Sequence, residues 1–174
     1  MISIIGKELS LKLKKGKYKF VKTVDIDANS LYSVNKPSLS HFVEKYHLKN
    51  GDPLLFYNTP IYLFAKSCVD DPKAFARDAG DSSFVQCSME RYNVHTKEYL
   101  DELVERMASI VNSIKKHGYA KGKFKNKLIG VVKNGSRYEL ISGKHRAAAC
   151  LSLGIKKVKC NLYKDISPYQ CRAE

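Results

Sequence analysis

The sequence predicts an α+β fold, a small mixed β-sheet flanked by helices, and three stretches carry this prediction. Apolar residues recur at spacings of three and four over residues 95–117, as on one face of a long helix. Alternating residues 128–133 and 137–141 flank Asn134-Gly135, the pattern of two antiparallel strands joined by a tight turn. Residues 144–153 follow directly and are rich in Ala and Leu, which favours a short buried helix.

The chain length indicates one domain. At 174 residues it is large enough to bury a sizeable core. We divide it into an elaborated N-terminal part, residues 1–94, and a core, residues 95–163.

The N-terminal part opens on alternating strands. Leucines alternate with polar residues over positions 9–14, Gly16 interrupts, and the alternation resumes over 17–20, which predicts two strands around a Lys-Lys-Gly-Lys turn. Asp25 and Asp27 lack the remaining ligands of a calcium loop, so we predict a strand that exits into a capped turn. Residues 39–46 predict a short helix.

A densely aromatic stretch, residues 54–68, is predicted to be core. The alternative is that Tyr57, Tyr62 and Phe64 stack on a base or a sugar ring. A helical turn is expected at residues 73–77.

The net charge of +14 indicates an anionic partner or substrate. A nucleotide, a sugar phosphate, a glycan phosphate or nucleic acid would each be attracted, and solubility alone is the alternative explanation. The loop 118–127 interleaves Tyr119 and Phe124 with lysines, so it either attracts a polyanion or is a solvated linker.

The spacing of the cysteines and the length of the apolar stretches argue against a zinc protein and against a membrane-spanning protein. Five widely spaced cysteines form no C-x-x-C pair, which argues against a zinc site and for buried free thiols. No apolar stretch approaches the roughly 20 residues of a membrane span, and the first residues lack the basic start of a signal peptide. We therefore expect a cytoplasmic protein.

The candidate site lies where the second strand of the hairpin meets the short helix. The first turn of a helix has N–H groups without intrahelical partners and attracts anions. Here that turn contains Lys144, His145 and Arg146, and Gly143 has no side chain to keep a ligand from the backbone. Residues Ser142 to Arg146 are thus a candidate phosphate site. The alternative is that Ser142 is an N-cap and the basic residues are a solvated helix start.

The run L-I-S-G-K-H-R-A-A-A-C-L-S-L-G, followed by Val158-Lys159-Cys160, resembles the signature of the ParB/sulfiredoxin-like superfamily over residues 128–162. In that signature a strand ends in a Gly-x-His/Arg-Arg turn, and an Ala-rich helix and a short strand follow. Members include CTP-binding partition proteins, ATP-dependent sulfinic acid reductases and small-molecule kinases. The resemblance therefore implies a nucleotide site.

Three departures from the superfamily bear on chemistry. Sulfiredoxins place a reactive Cys where this chain has Lys144, which excludes the reductase reaction. Kinase-like members carry Asp where this chain has Ser142, and the hydroxyl supplies no fixed negative charge for Mg²⁺. The partition proteins place an acidic residue and two arginines in the turn, and K-H-R differs from this.

Three functions remain open on the sequence. The first is a phosphotransferase that uses ATP or another nucleoside triphosphate with Mg²⁺, in which Glu90 and His145 are the candidate catalytic residues and residues 142–146 bind the nucleotide. The alternative for Glu90 is a solvated carboxylate, which is the usual state of a lone glutamate. The second is a non-catalytic module that binds nucleotide or nucleic-acid phosphate, and the third is an interaction domain.

Overall fold

A computed structural model describes residues 17–34, 53–121, 124–125 and 127–166. One sheet contains six strands: β1 (Tyr18–Asp27), β2 (Leu31–Val34), β3 (Pro53–Leu55), β4 (Ile129–Asn134), β5 (Arg137–Ser142) and β6 (Lys157–Asp165). The α-helices of these ranges are α1 (Pro60–Asp70), α2 (Pro72–Asp78), α3 (Ser83–Tyr92), α4 (Lys97–His117) and α5 (Lys144–Ser152). Short 3-10 turns occupy Ala28–Ser30, Phe56–Asn58 and Ala79–Asp81.

The sheet is mixed, with strand order β1-β6-β4-β5-β2-β3. β4 and β5 form the predicted antiparallel hairpin, β6 runs parallel to β4, and β2 runs parallel to β5. The α+β fold class is therefore confirmed. Because β5 is antiparallel to β4, the end of β5 lies beside the start of β4, and this places the candidate turn next to Ile129.

One face of the sheet packs against the helices to form the core. The buried strand residues Ile26, Leu31, Ile129, Val131, Leu140, Val158 and Cys160 belong to the same apolar cluster as helix residues. Helix α5 packs against α1 and α4, and its residues 147–150 are fully buried. Three consecutive alanines allow this close packing because they add little volume. The helix that begins at the candidate site is thus fixed within the core.

Helix α4 follows the predicted helix closely. Thr96 caps its start by accepting a hydrogen bond from the Tyr99 N–H at 3.3 Å, and it ends at Gly118. The prediction of a capped turn after β1 is also confirmed, because the Asp27 carboxylate accepts a hydrogen bond from the Asn29 N–H.

The prediction that the aromatic stretch is core is confirmed for Phe64, and the alternative in which Phe64 stacks on a base is wrong. Residues 60–70 form helix α1, and its 3.6-residue period turns Phe64 into the core, where it is 2% exposed. Phe64 therefore has no free ring face for a ligand, whereas Tyr57 is exposed. The strand predicted at 9–14, the helix predicted at 39–46 and Cys171 lie outside the described residues.

No helix within the described ranges is both long enough and apolar enough to cross a membrane.

Candidate functional site

The site is built on a strand, a left-handed glycine and a helix start. Gly143 has φ +82° and ψ 27°, a conformation that costs an L-residue with a Cβ roughly 1 kcal/mol or more. The first intrahelical hydrogen bond runs from the Ala147 N–H to the Gly143 carbonyl at 3.0 Å. No side chain caps the first turn of α5, so the alternative in which Ser142 is the N-cap is wrong.

The Arg146 side chain folds back over Gly143. A Cβ atom added to Gly143 would lie 3.0 Å from Arg146 Nη2 and 3.2 Å from the Ile129 Cα. The absence of a side chain at Gly143 therefore gives room both to the guanidinium and to the adjacent strand.

Arg146 carries a positive charge without an acidic counterpart in the described part of the chain. Its Nη1 atom is buried and has no hydrogen-bond partner there. Burial lowers the pKa of the guanidinium, and the groups that interact with its charge are Tyr119, Cys150 and Cys160. Burial raises the pKa of each of these two thiols to about 12, so both stay neutral near pH 7. A partly buried cation in such surroundings is an incomplete ion pair, to which an anion from solution would be complementary.

Tyr119 ties the basic loop to the sheet beside this cation. Its hydroxyl accepts a hydrogen bond from the Ile129 N–H at 2.9 Å and donates one to the Lys159 carbonyl at 3.0 Å. Burial raises the pKa of Tyr119, so the hydroxyl keeps its proton. Tyr119 therefore lies next to the turn, and Lys121, Lys125 and Lys127, which follow it in the chain, are exposed.

Removing this hydroxyl should destabilise the fold. We expect Tyr119→Phe to lower the free energy of unfolding by about 1–3 kcal/mol, because a buried N–H and a carbonyl lose their partner together. Urea denaturation measures the change. Tyr57→Phe removes the hydroxyl of an exposed tyrosine and should change the stability by less than about 0.5 kcal/mol. Equal effects of the two substitutions would contradict the bridging role of Tyr119.

His145 faces helix α3. Its ring meets the edge of the Phe84 ring at a centroid distance of 5.7 Å and an interplanar angle of 86°. Phe84 in turn packs on Phe64 at 4.9 Å, so an aromatic chain joins the turn to helix α1. No local pattern in the sequence indicates this role of Phe84, since the contact joins two distant segments.

Of the other predicted site residues, Lys144 and Ser142 lie in or beside the turn and Glu90 lies away from it. Lys144 is partly exposed at the first position of α5. The Ser142 hydroxyl lies over β4, 2.4 Å from where a Cβ on Gly130 would stand. Glu90 is exposed on α3, six residues beyond Phe84, which is about 9 Å along the helix axis and on a different face. A catalytic role for Glu90 or His145 stays a prediction.

A cavity of about 490 Å³ lies elsewhere, between α1, α2 and the 3-10 turn that follows them. Three of its four acidic residues serve local structure: Asp70 pairs with Lys66, Asp71 caps α2, and Asp78 pairs with Arg77. Among the residues with described positions, no three His, Cys, Asp or Glu side chains are grouped so that they could hold a metal ion.

Comparison with known proteins bears on the second half of the chain. No curated protein and no solved structure gave a significant match. Residues 88–170, just under half of the 174 residues, match the family model of the ParB N-terminal domain. The matched segment contains α4, the β4–β5 hairpin, the Gly143 turn, α5 and β6. This chain therefore contains a ParB/sulfiredoxin-like segment, and the candidate turn lies inside it.

Proposed function

We propose that the protein is a non-catalytic binding module that holds phosphate groups of nucleic acid or of a nucleotide at the turn of residues 143–146. The observation that carries the proposal is the Arg146 guanidinium, partly buried and without an acidic partner among the described residues. An arginine fork beside the N-terminus of a helix is a common arrangement for phosphate oxygens.

Two further features support phosphate as the ligand. Gly143 has no side chain, so a ligand can approach the backbone closely. The exposed Lys121, Lys125 and Lys127 follow Tyr119 closely in the chain, and the chain carries a net charge of +14. Cations around a single anchoring arginine would attract a polyanion more strongly than an isolated phosphate. The match to the ParB N-terminal domain favours a nucleic-acid module over a small-molecule enzyme.

The turn fits the phosphates of ATP better than it fits Mg²⁺. Lys144 and Arg146 supply positive charge, and the oxygen ligand that the sequence proposed, the Ser142 hydroxyl, is neutral and lies over β4. Magnesium is usually bound through one or two carboxylates together with the phosphates. ATP with Mg²⁺ as cofactors, and phosphoryl transfer, thus stay predictions that no comparison supports.

The test measures binding of phosphate-bearing probes to the intact protein, by thermal shift and by fluorescence anisotropy. The probes are ATP, CTP and ADP with and without Mg²⁺, a labelled single strand and the corresponding duplex DNA. We expect binding by at least one phosphate-bearing probe in the wild type and its loss in Arg146→Ala. For nucleic acid, the affinity should fall as salt rises, with a log–log slope of about −0.7 to −0.9 per phosphate contacted.

A charge-matched control comes from the far end of the hairpin. Lys133 is exposed, and it lies four residues, about 13 Å, along β4 from Ile129. Lys133→Gln removes one positive charge and should leave the affinity within about twofold of wild type. Equal losses in Lys133→Gln and Arg146→Ala would mean that net charge alone binds the probe. Release of ADP on adding acceptor hydroxyl compounds would show phosphoryl transfer and overturn the non-catalytic proposal.

A further inference from the structure

An exposed group of aromatic and cationic side chains lies at the end of α3. Tyr92 is 58% exposed, which is the largest value among the large hydrophobic residues of the described ranges. The Arg91 guanidinium lies 5.4 Å from the centre of the Tyr92 ring. The Tyr99 ring meets the Tyr92 ring at 6.4 Å and 71°. We name Arg91, Tyr92 and Tyr99 the Tyr92 cluster. It combines a ring available to solvent with a cation held beside that ring.

Helix α3 connects this cluster to the candidate turn. Phe84, on α3, contacts His145 of the turn. Arg91 lies seven residues after Phe84, so Phe84 and Arg91 share one face of α3 and are about 10 Å apart along its axis. The Phe84 and His145 ring centres are a further 5.7 Å apart, so at a rise of about 3.4 Å per nucleotide the path from the turn to the cluster corresponds to about three to five nucleotides. The Tyr92 cluster is therefore within reach of a short strand whose phosphate occupies the turn.

We infer that the ligand of the turn is single-stranded nucleic acid, and that one of its bases stacks on Tyr92 while Arg91 contacts a neighbouring phosphate. The inference rests on the proposed function, since the turn supplies the first phosphate contact. A base in a duplex has both faces covered by its neighbours, whereas an unpaired base offers a face to an aromatic ring. A mononucleotide is too short to reach both places. The positive charge of the chain complements the backbone of such a strand.

The experiment measures the affinity of the intact protein for a fluorescein-labelled oligothymidine of about 12 nucleotides, for the matched duplex, and for CTP. The variants are Tyr92→Leu, Tyr92→Phe and Arg146→Gln. Tyr57→Leu is the matched control, because Tyr57 is another exposed tyrosine and was itself predicted from the sequence to stack on a base. The surface position of both tyrosines keeps the fold intact on substitution, and circular dichroism checks this.

We expect Tyr92→Leu to weaken binding of the single strand by about 5- to 150-fold, the range that loss of one stacked base produces. Binding of CTP should not change, and duplex DNA should bind more weakly than the single strand to the wild type. Tyr92→Phe should keep wild-type affinity because the ring, and not the hydroxyl, makes the contact. Tyr57→Leu should also bind as the wild type does.

The inference is wrong if Tyr92→Leu binds the single strand with wild-type affinity, if Tyr57→Leu alone loses it, or if the wild type prefers the duplex. Arg146→Gln separates these failures from that of the proposed function. If Arg146→Gln loses binding and Tyr92→Leu keeps it, only the stacking contact is ruled out and the phosphate site stands. If Arg146→Gln binds every probe with wild-type affinity, both the phosphate site and the stacking inference are ruled out.

Discussion

Gly143→Ala should abolish phosphate binding and destabilise the protein by about 2–4 kcal/mol. The positive φ of +82° costs an alanine about 1–2 kcal/mol. The new methyl group would also stand 3.2 Å from the Ile129 Cα, a backbone atom that moves only with β4. Its closest contact, at 3.0 Å from Arg146 Nη2, pushes the guanidinium out of the turn. Urea denaturation measures the stability, and anisotropy with the labelled single strand measures the binding.

Gly135→Ala is the matched control for the backbone strain. Gly135 also has a positive φ, +57°, but a Cβ added there meets no atom within 4 Å. We expect this variant to lose about 1–2 kcal/mol and to bind as the wild type does. Should Gly143→Ala and Gly135→Ala be equally stable and bind equally well, the close packing of Gly143 against Arg146 and Ile129 would be refuted.

Arg146→Gln should affect binding and stability in different ways. A charge-assisted hydrogen bond contributes about 1.5–3 kcal/mol, so its loss should weaken phosphate binding by about 10- to 150-fold. The free energy of unfolding without ligand should fall by no more than about 1 kcal/mol. The reason is that burial already disfavours the charged guanidinium, so removing the charge offsets the lost packing of the arginine stem.

Arg146→Lys tests whether geometry matters in addition to charge. Lysine keeps the positive charge but lacks the planar fork that contacts two phosphate oxygens at once. We expect an affinity between those of wild type and Arg146→Gln. A large loss of stability in Arg146→Gln would instead show that Arg146 serves the fold, through a contact that completes its ion pair internally.

The elements near the site were predictable because their signals are local. Asn134-Gly135 between alternating residues specifies a hairpin, and Thr96 with Gly118 marks both ends of α4. The order strand, glycine, helix also follows from residues adjacent in the chain. These local patterns are the reason that the α+β class and the position of the turn were right.

Other features depend on which distant segments the fold brings together. The isolation of Arg146 depends on Tyr119, Cys150 and Cys160, which the loop, the helix and β6 place around it. The contact between Phe84 and His145 joins α3 to α5, and the hydrophobic periodicity of neither segment predicts this contact. Aromatic content alone left stacking open as an alternative for Phe64, because it does not say which face of α1 is buried.

Nuclear magnetic resonance of the ¹⁵N-labelled protein, titrated with the oligothymidine single strand and separately with CTP, tests the phosphate site most directly. The backbone amides of residues 143–146 and the side-chain signal of Arg146 should show the largest chemical-shift changes with at least one of these ligands. Those changes should be absent in Arg146→Gln. Saturable binding that leaves these signals in place and shifts amides elsewhere would contradict a phosphate site at this turn.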